Sequence, residues 1–172
     1  MGIRSAIHDM GAMKRLFTAA EEEARALGEE SPGPEHLLLA ALTLPDDSAR
    51  TALAGSGAGA GIEDVRRALA ETHAAALRSV GIDADALPAA PPAPAPRGPY
   101  RATGSANEVF QRAVAIAKAE RPGKLRTAHV LIAVAELEHG TAARVLRNLE
   151  IDRPTLIAAA RASVRDENRN GR

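Results

Sequence analysis

Apolar residues recur at three- and four-residue spacing along most of the chain, and glycine and proline break the pattern at regular points. Leu16, Phe17, Ala20, Ala24 and Leu27 form one stripe, which predicts a helix over about 10–27 ended by Gly28. A second helix is expected to open at Pro34 and to carry Leu37, Leu38, Ala41 and Leu42. A short third helix over 48–54 follows, with Ser48 as its N-cap. The fourth spans about 63–80, with Val65, Leu69 and Leu77 inward and Gly81 past its end. Beyond Pro99 the plan returns. One helix follows the cap candidates Thr103 and Ser105 and runs to Glu120, and others are expected over about 127–138, 141–149 and 152–164. No stretch alternates as a strand would, so the fold class is all-α.

The two halves are related. A shift of 93 residues pairs Phe17 with Phe110, His36 with His129, Leu38 with Leu131, Leu44 with Leu137 and Leu53 with Leu146. Alanine matches at the same shift are weak evidence in so alanine-rich a chain, but the Phe, His and Leu matches mark a tandem repeat of two four-helix units. Between them, Leu87 to Pro99 holds six of the eleven prolines. Prolines this dense fix φ and remove donors, so the segment is expected to be an extended linker. The reading divides the chain into repeat one over 10–81, a linker over 82–102, repeat two over 103–165 and a frayed polar tail over 166–172.

Composition narrows the chemistry. The 172 residues carry 22 basic and 22 acidic side chains, and the zero net charge removes the global field of a general nucleic-acid binder. There is no cysteine, which excludes disulfides, thiolate zinc sites and a cysteine nucleophile. Aromatic residues make up only 2% against 45% hydrophobic, which suits closely packed small helices. No apolar run reaches membrane-spanning length, and the first residues lack the apolar stretch of a secretory signal. The expected location is cytoplasmic, with neither nucleic acid nor membrane as partner and a monomer favoured.

The segment Leu16 to Leu42, LFTAAEEEARALGEESPGPEHLLLAAL, with its Glu-His-hydrophobic second helix, closely resembles the first Clp N-terminal repeat of ClpA/ClpC-type AAA+ unfoldases. Thr103 to Leu137 is a looser match to the second repeat. The resemblance implies a pseudo-twofold eight-helix bundle that recruits substrates and adaptors and catalyses nothing. The unfoldase's ATPase needs a phosphate-cradling GxxxxGK[ST] loop. Pro122-Gly123-Lys124-Leu125 lacks both the first glycine and the hydroxyl residue. The expectation is therefore an N-domain, standalone or a fragment with the former favoured, that uses no cofactor and does not bind ATP. Its function is read as protein or peptide binding in the Clp proteolytic pathway, through substrate or adaptor recruitment or competition with the unfoldase N-domain. Two alternatives stay open: a protein that sequesters cyclic peptides or phosphoarginine peptides, and a structural domain of another assembly.

In ClpC-type domains the glutamate of each Glu-His motif contacts the guanidinium of phosphorylated arginine, while backbone donors and a threonine before helix 1 receive the phosphate. Glu35 matches the first glutamate, and Ala128 stands at the second. Thr103 matches the threonine of repeat two, whereas its equivalent in repeat one falls near Met10. Glu35 also suits the first turn of helix 2 simply by offsetting the macrodipole. The resemblance further implies a groove between the repeats, on which Lys14, Phe17 and Gln111 lie, with Tyr100 beside it. Phe17 and Phe110 fit equally well as buried core. His36 and His129 lack partners at metal-ligand spacing such as i and i+4, so no metal is expected and a structural role is read for both. No catalytic constellation is legible. Glu21 to Glu23 read as a solvated face, with Arg25 as an i+4 partner for Glu21.

Overall fold

A computed structural model describes residues 3–88, 91–94, 102–120 and 123–170. Among these there are eight α-helices and no strand: α1 (Ile3–Ala26), α2 (Pro34–Thr43), α3 (Ser48–Gly55), α4 (Ile62–Ser79), α5 (Gly104–Ala119), α6 (Thr127–Ala135), α7 (Thr141–Asn148) and α8 (Arg153–Asn170). A single 3-10 turn, Ala84–Ala86, follows α4. None of the described helices is long and apolar enough to cross a membrane.

Local chemistry accounts for most helix ends. Gly28 takes φ +79 past α1, where the Glu29 N–H reaches back to the Ala24 carbonyl at 2.9 Å. Thr103 caps α5, its hydroxyl accepting the Ala106 N–H at 3.2 Å. The Asp64 carboxylate accepts the Gly61 N–H at 2.8 Å before α4, and Asp152 accepts the Thr155 N–H at 2.9 Å at the start of α8. Four expectations are corrected. Helix α1 begins at Ile3 rather than near Met10, and α6 ends at Ala135 rather than Glu138. Helix α8 continues through Arg165 to Asn170, where polar sequence suggested fraying; Glu167 there pairs with Arg126. The i+4 pair of Glu21 and Arg25 gives way to Glu23 with Arg66 of α4 at 2.6 Å.

Helices α2 and α6 lie at the centre. Every residue of α2 from Glu35 to Leu42 and all of α6 are buried, as expected of helices apolar on every side. They pack against each other, with α1 laid on α2 and α5 on α6. The remaining helices cross between the halves: α3 packs on α8, and α4 on α7. Both repeats therefore contribute to one core, which runs from Leu16 through Leu69, Leu131 and Leu146 to Val164. Each fully buried leucine in it contributes about 1.5–3 kcal/mol. Alanines at positions such as 20, 40, 113 and 133, all buried, let the helices approach closely. Phe17 and Phe110 touch edge to face, with ring centroids 5.0 Å apart. Equivalent residues that touch straddle the axis relating the two repeats.

Candidate functional site

The N-termini of α2 and α6 are the places where the resemblance puts ligand chemistry. At α2 the chain runs Gly33-Pro34-Glu35-His36. The Gly33 N–H donates to Nδ1 of His36 at 3.0 Å, so the imidazole caps the helix. Pro34 has no N–H to offer a ligand. Glu35 folds back over Gly33, where a Cβ would collide with its carboxylate, and that carboxylate accepts its own backbone N–H. It is only 8% exposed, and burial raises its pKa, with the charge of Glu29 adding to the effect.

At α6 the chain runs Arg126-Thr127-Ala128-His129, and His129 repeats the cap, Nδ1 accepting the Arg126 N–H at 2.9 Å. The anion at this helix end comes from repeat one. Asp46 accepts the Thr127 N–H at 2.9 Å, and the Ser48 hydroxyl accepts the Ala128 N–H at 3.0 Å. The Thr127 hydroxyl in turn donates to the Asp46 carbonyl at 2.8 Å, lies 3.0 Å from Ser48 Oγ and accepts the Ala49 N–H at 3.2 Å. Ser163 of α8 closes the network on the Ser48 carbonyl at 2.8 Å. Burial pushes the Asp46 carboxyl up, but hydrogen bonds from Ser48 and Thr127 and the charge of Arg126 outweigh it and leave its pKa lowered. Ser48 is thus the first residue of α3 and a buried link between repeats, not the cap that its position suggested.

Glu35 and Thr103, read from sequence as remnants of two sites, converge on one segment. The Thr103 N–H donates to the Pro32 carbonyl at 3.0 Å, one residue from the glycine that Glu35 covers. The Thr103 hydroxyl is already committed to Ala106. Lys14 and Gln111 are exposed on α1 and α5. Phe17 and Phe110 are 6% and 8% exposed and face each other, so their rings belong chiefly to the core. Tyr100 lies outside the described residues.

The fold also gathers a group that spacing did not reveal. One ligand atom each of Glu29, Glu35 and His36 lies within 4.8 Å of the others, and His73 of α4 stands 3.7 Å from Glu29. His36 is fully buried and its Nε2 has no hydrogen-bond partner, with a Glu29 carboxylate oxygen 3.9 Å away. The cap settles what this nitrogen can do. Nδ1 accepts a hydrogen bond, so the neutral ring carries its proton on Nε2, which then donates rather than ligates. Two carboxylates without an imidazole ligand are not a zinc donor set. Burial lowers the His36 pKa to about 4, with the charge of His73 contributing. Glu29, Glu35 and His36 are neighbours in sequence around the α1–α2 connection, and only His73 joins them through the packing of α4.

Comparison with solved structures gives the fold a parallel. The chain is similar to the N-terminal domain of the caseinolytic protease-associated chaperone ClpD from Arabidopsis thaliana, with a TM-score of 0.61 at 21% identity, covering 88% of this chain and 91% of that one. No curated protein matches. The family model described as the Clp repeat (R) N-terminal domain matches residues 12–149 and 101–171, spanning both repeats. With both repeats matched and the eight helices arranged as they are, the chain belongs to the Clp repeat N-terminal domain family.

Proposed function

We propose that the protein is a non-enzymatic, cytoplasmic binding module of the Clp proteolytic pathway, acting on protein or peptide ligands. It would recruit substrates or adaptors, or compete with the N-domain of a Clp unfoldase for them. The observation that carries this reading is the family match over both repeats, since Clp N-domains are protein-interaction modules. The binding surface proposed is the groove between the repeats that the resemblance implies, near the Phe17–Phe110 contact and the exposed Lys14 and Gln111; Tyr100, outside the described residues, is assigned to it by the resemblance alone. Neither nucleic acid nor membrane is expected as a partner. The test adds the purified protein to a reconstituted Clp unfoldase–protease reaction degrading an adaptor-dependent substrate. Competition or stimulation, together with co-sedimentation with adaptor or unfoldase, is expected. An unchanged degradation rate and no co-sedimentation would remove the Clp-pathway reading.

Binding of phosphoarginine is proposed to be weak. A phosphate at a helix N-terminus needs free backbone donors. At α2, proline removes one and Glu35 occupies the next; at α6, Asp46 and Ser48 hold both. Any residual binding would sit by Glu35 and Thr103 and be lost in Glu35→Ala. Titration calorimetry with a phosphoarginine peptide checks it; two equivalent micromolar sites would be the contrary result.

A further inference from the structure

A cavity of about 610 Å³ opens between α1, the α2–α3 turn, the segment before α6 and the end of α8. Its apolar wall is Leu16, Leu44, Leu125 and Val130. Six charged side chains also line it, and their commitments differ. The carboxylates are all engaged: Asp46 with the Ser48 and Thr127 N–H groups, Asp47 with Arg50, and Glu167 with Arg126. Of the cations, Arg126 is taken by Glu167, whereas Arg15 and Lys124 are exposed and form no ion pair among the described residues. Arg126 is mostly buried, with 16% of its side chain exposed, and its Nε is buried without a hydrogen-bond partner. A buried donor left so costs about 1–3 kcal/mol.

We propose that this cavity binds the C-terminal carboxylate of a protein chain whose last residues are apolar. The site offers uncommitted positive charge beside an apolar wall, and an α-carboxylate presents both complements from one carbon atom. An internal acidic residue would instead bring flanking peptide groups on both sides into the cavity. A phosphate fits less well, because its second negative charge adds repulsion from Asp46, Asp47 and Glu167 and its oxygens offer nothing to the apolar wall. Among the described residues, the other repeat does not reproduce this lining. At the equivalent place in the other repeat, Ser31, Pro32 and Gly33 stand where Lys124, Leu125 and Arg126 stand here, and Thr103 is bonded to the Pro32 carbonyl. The inference deepens the reading of a peptide-binding module by naming a ligand class and a pocket apart from the Phe17–Phe110 groove.

Fluorescence anisotropy of the full chain with a labelled hexapeptide ending in Ala-Leu-Leu tests it, using the free acid, its C-terminal amide, and the same peptide with a phosphoserine end. The free acid is expected to bind with micromolar affinity and the amide about tenfold or more weakly. Lys124→Glu, at an exposed position, should weaken the acid by a similar factor while leaving the melting temperature unchanged. Arg126→Met should do the same; if it fails to fold for want of the Glu167 partner, Lys124→Glu and the amide still decide. Equal binding of acid and amide, tighter binding of the phosphorylated end, indifference to Lys124→Glu, or no binding of the acid each overturns the pocket. The unfoldase reaction described above is independent of this titration, so either idea can fall without the other.

Discussion

The N-termini of α2 and α6 are related by the shift of 93 residues, and each is closed by a histidine Nδ1 accepting a backbone N–H, at 3.0 Å in one and 2.9 Å in the other. Around that shared cap the chemistry has separated. In α2 the negative charge is the helix's own, Glu35, turned inward beside Glu29, with Pro34 lacking a donor. In α6 it comes from Asp46 of the opposite repeat, held by Thr127, while the glutamate position is Ala128. One helix end therefore holds a buried carboxylate of its own, and the other serves as a joint between the halves. A repeat can keep its fold while its equivalent surfaces diverge, because the core constrains the leucines and the cap but not the residue that supplies the anion.

The sharpest way to break this comparison is Thr127→Val. It should destabilise the protein by roughly 3–5 kcal/mol, because the Ala49 N–H and the Asp46 carbonyl lose a buried partner. Urea denaturation measures it, and a loss under about 1 kcal/mol would show that the joint matters little.

A pH titration of stability probes the α2 side next. Burial lowers the His36 pKa to about 4 in the folded protein from an ordinary value of 6.5, so the unfolded chain takes up its proton first. The contribution is full above about pH 6.5 and falls by roughly 3 kcal/mol as pH drops towards 4. His36→Gln should flatten that part of the profile. Asp46, with a lowered pKa, loses its contribution only at more acid pH, and Asp46→Asn removes that second decline. An identical slope between pH 6.5 and 4 in His36→Gln would discard the assignment.

Glu35 should act with the opposite sign. Its pKa is raised, so its charged form is disfavoured by folding at neutral pH. Glu35→Gln should stabilise by on the order of 1 kcal/mol at pH 7 and by nothing once the carboxyl is protonated. Stabilisation that persists at low pH would point to another cause. The smallest effect compares the ends of α3 and α7. Gly57 takes φ +78, and its equivalent in repeat two, Glu150, is held at φ +54. Glu150→Gly should raise stability by about 0.5–1 kcal/mol, read as a higher urea midpoint at unchanged m-value.

The sequence by itself determined the eight helices, the repeat and the interior. Leu37, Leu38, Val65, Leu69 and Leu131 were legible because helical spacing and the burial of apolar side chains are local statements about the chain. Gly28, Gly81 and Thr103 marked helix ends through backbone and capping chemistry that needs only a few neighbouring residues. Partnership was decided elsewhere. That α3 packs on α8 and α4 on α7, that Asp46 and Ser48 close α6, and that His73 stands beside Glu29 all depend on contacts between segments far apart in the chain. Such contacts are set by how whole helices pack. A serine before a helix reads as a cap from sequence, and only the approach of α6 makes Ser48 a link between the repeats.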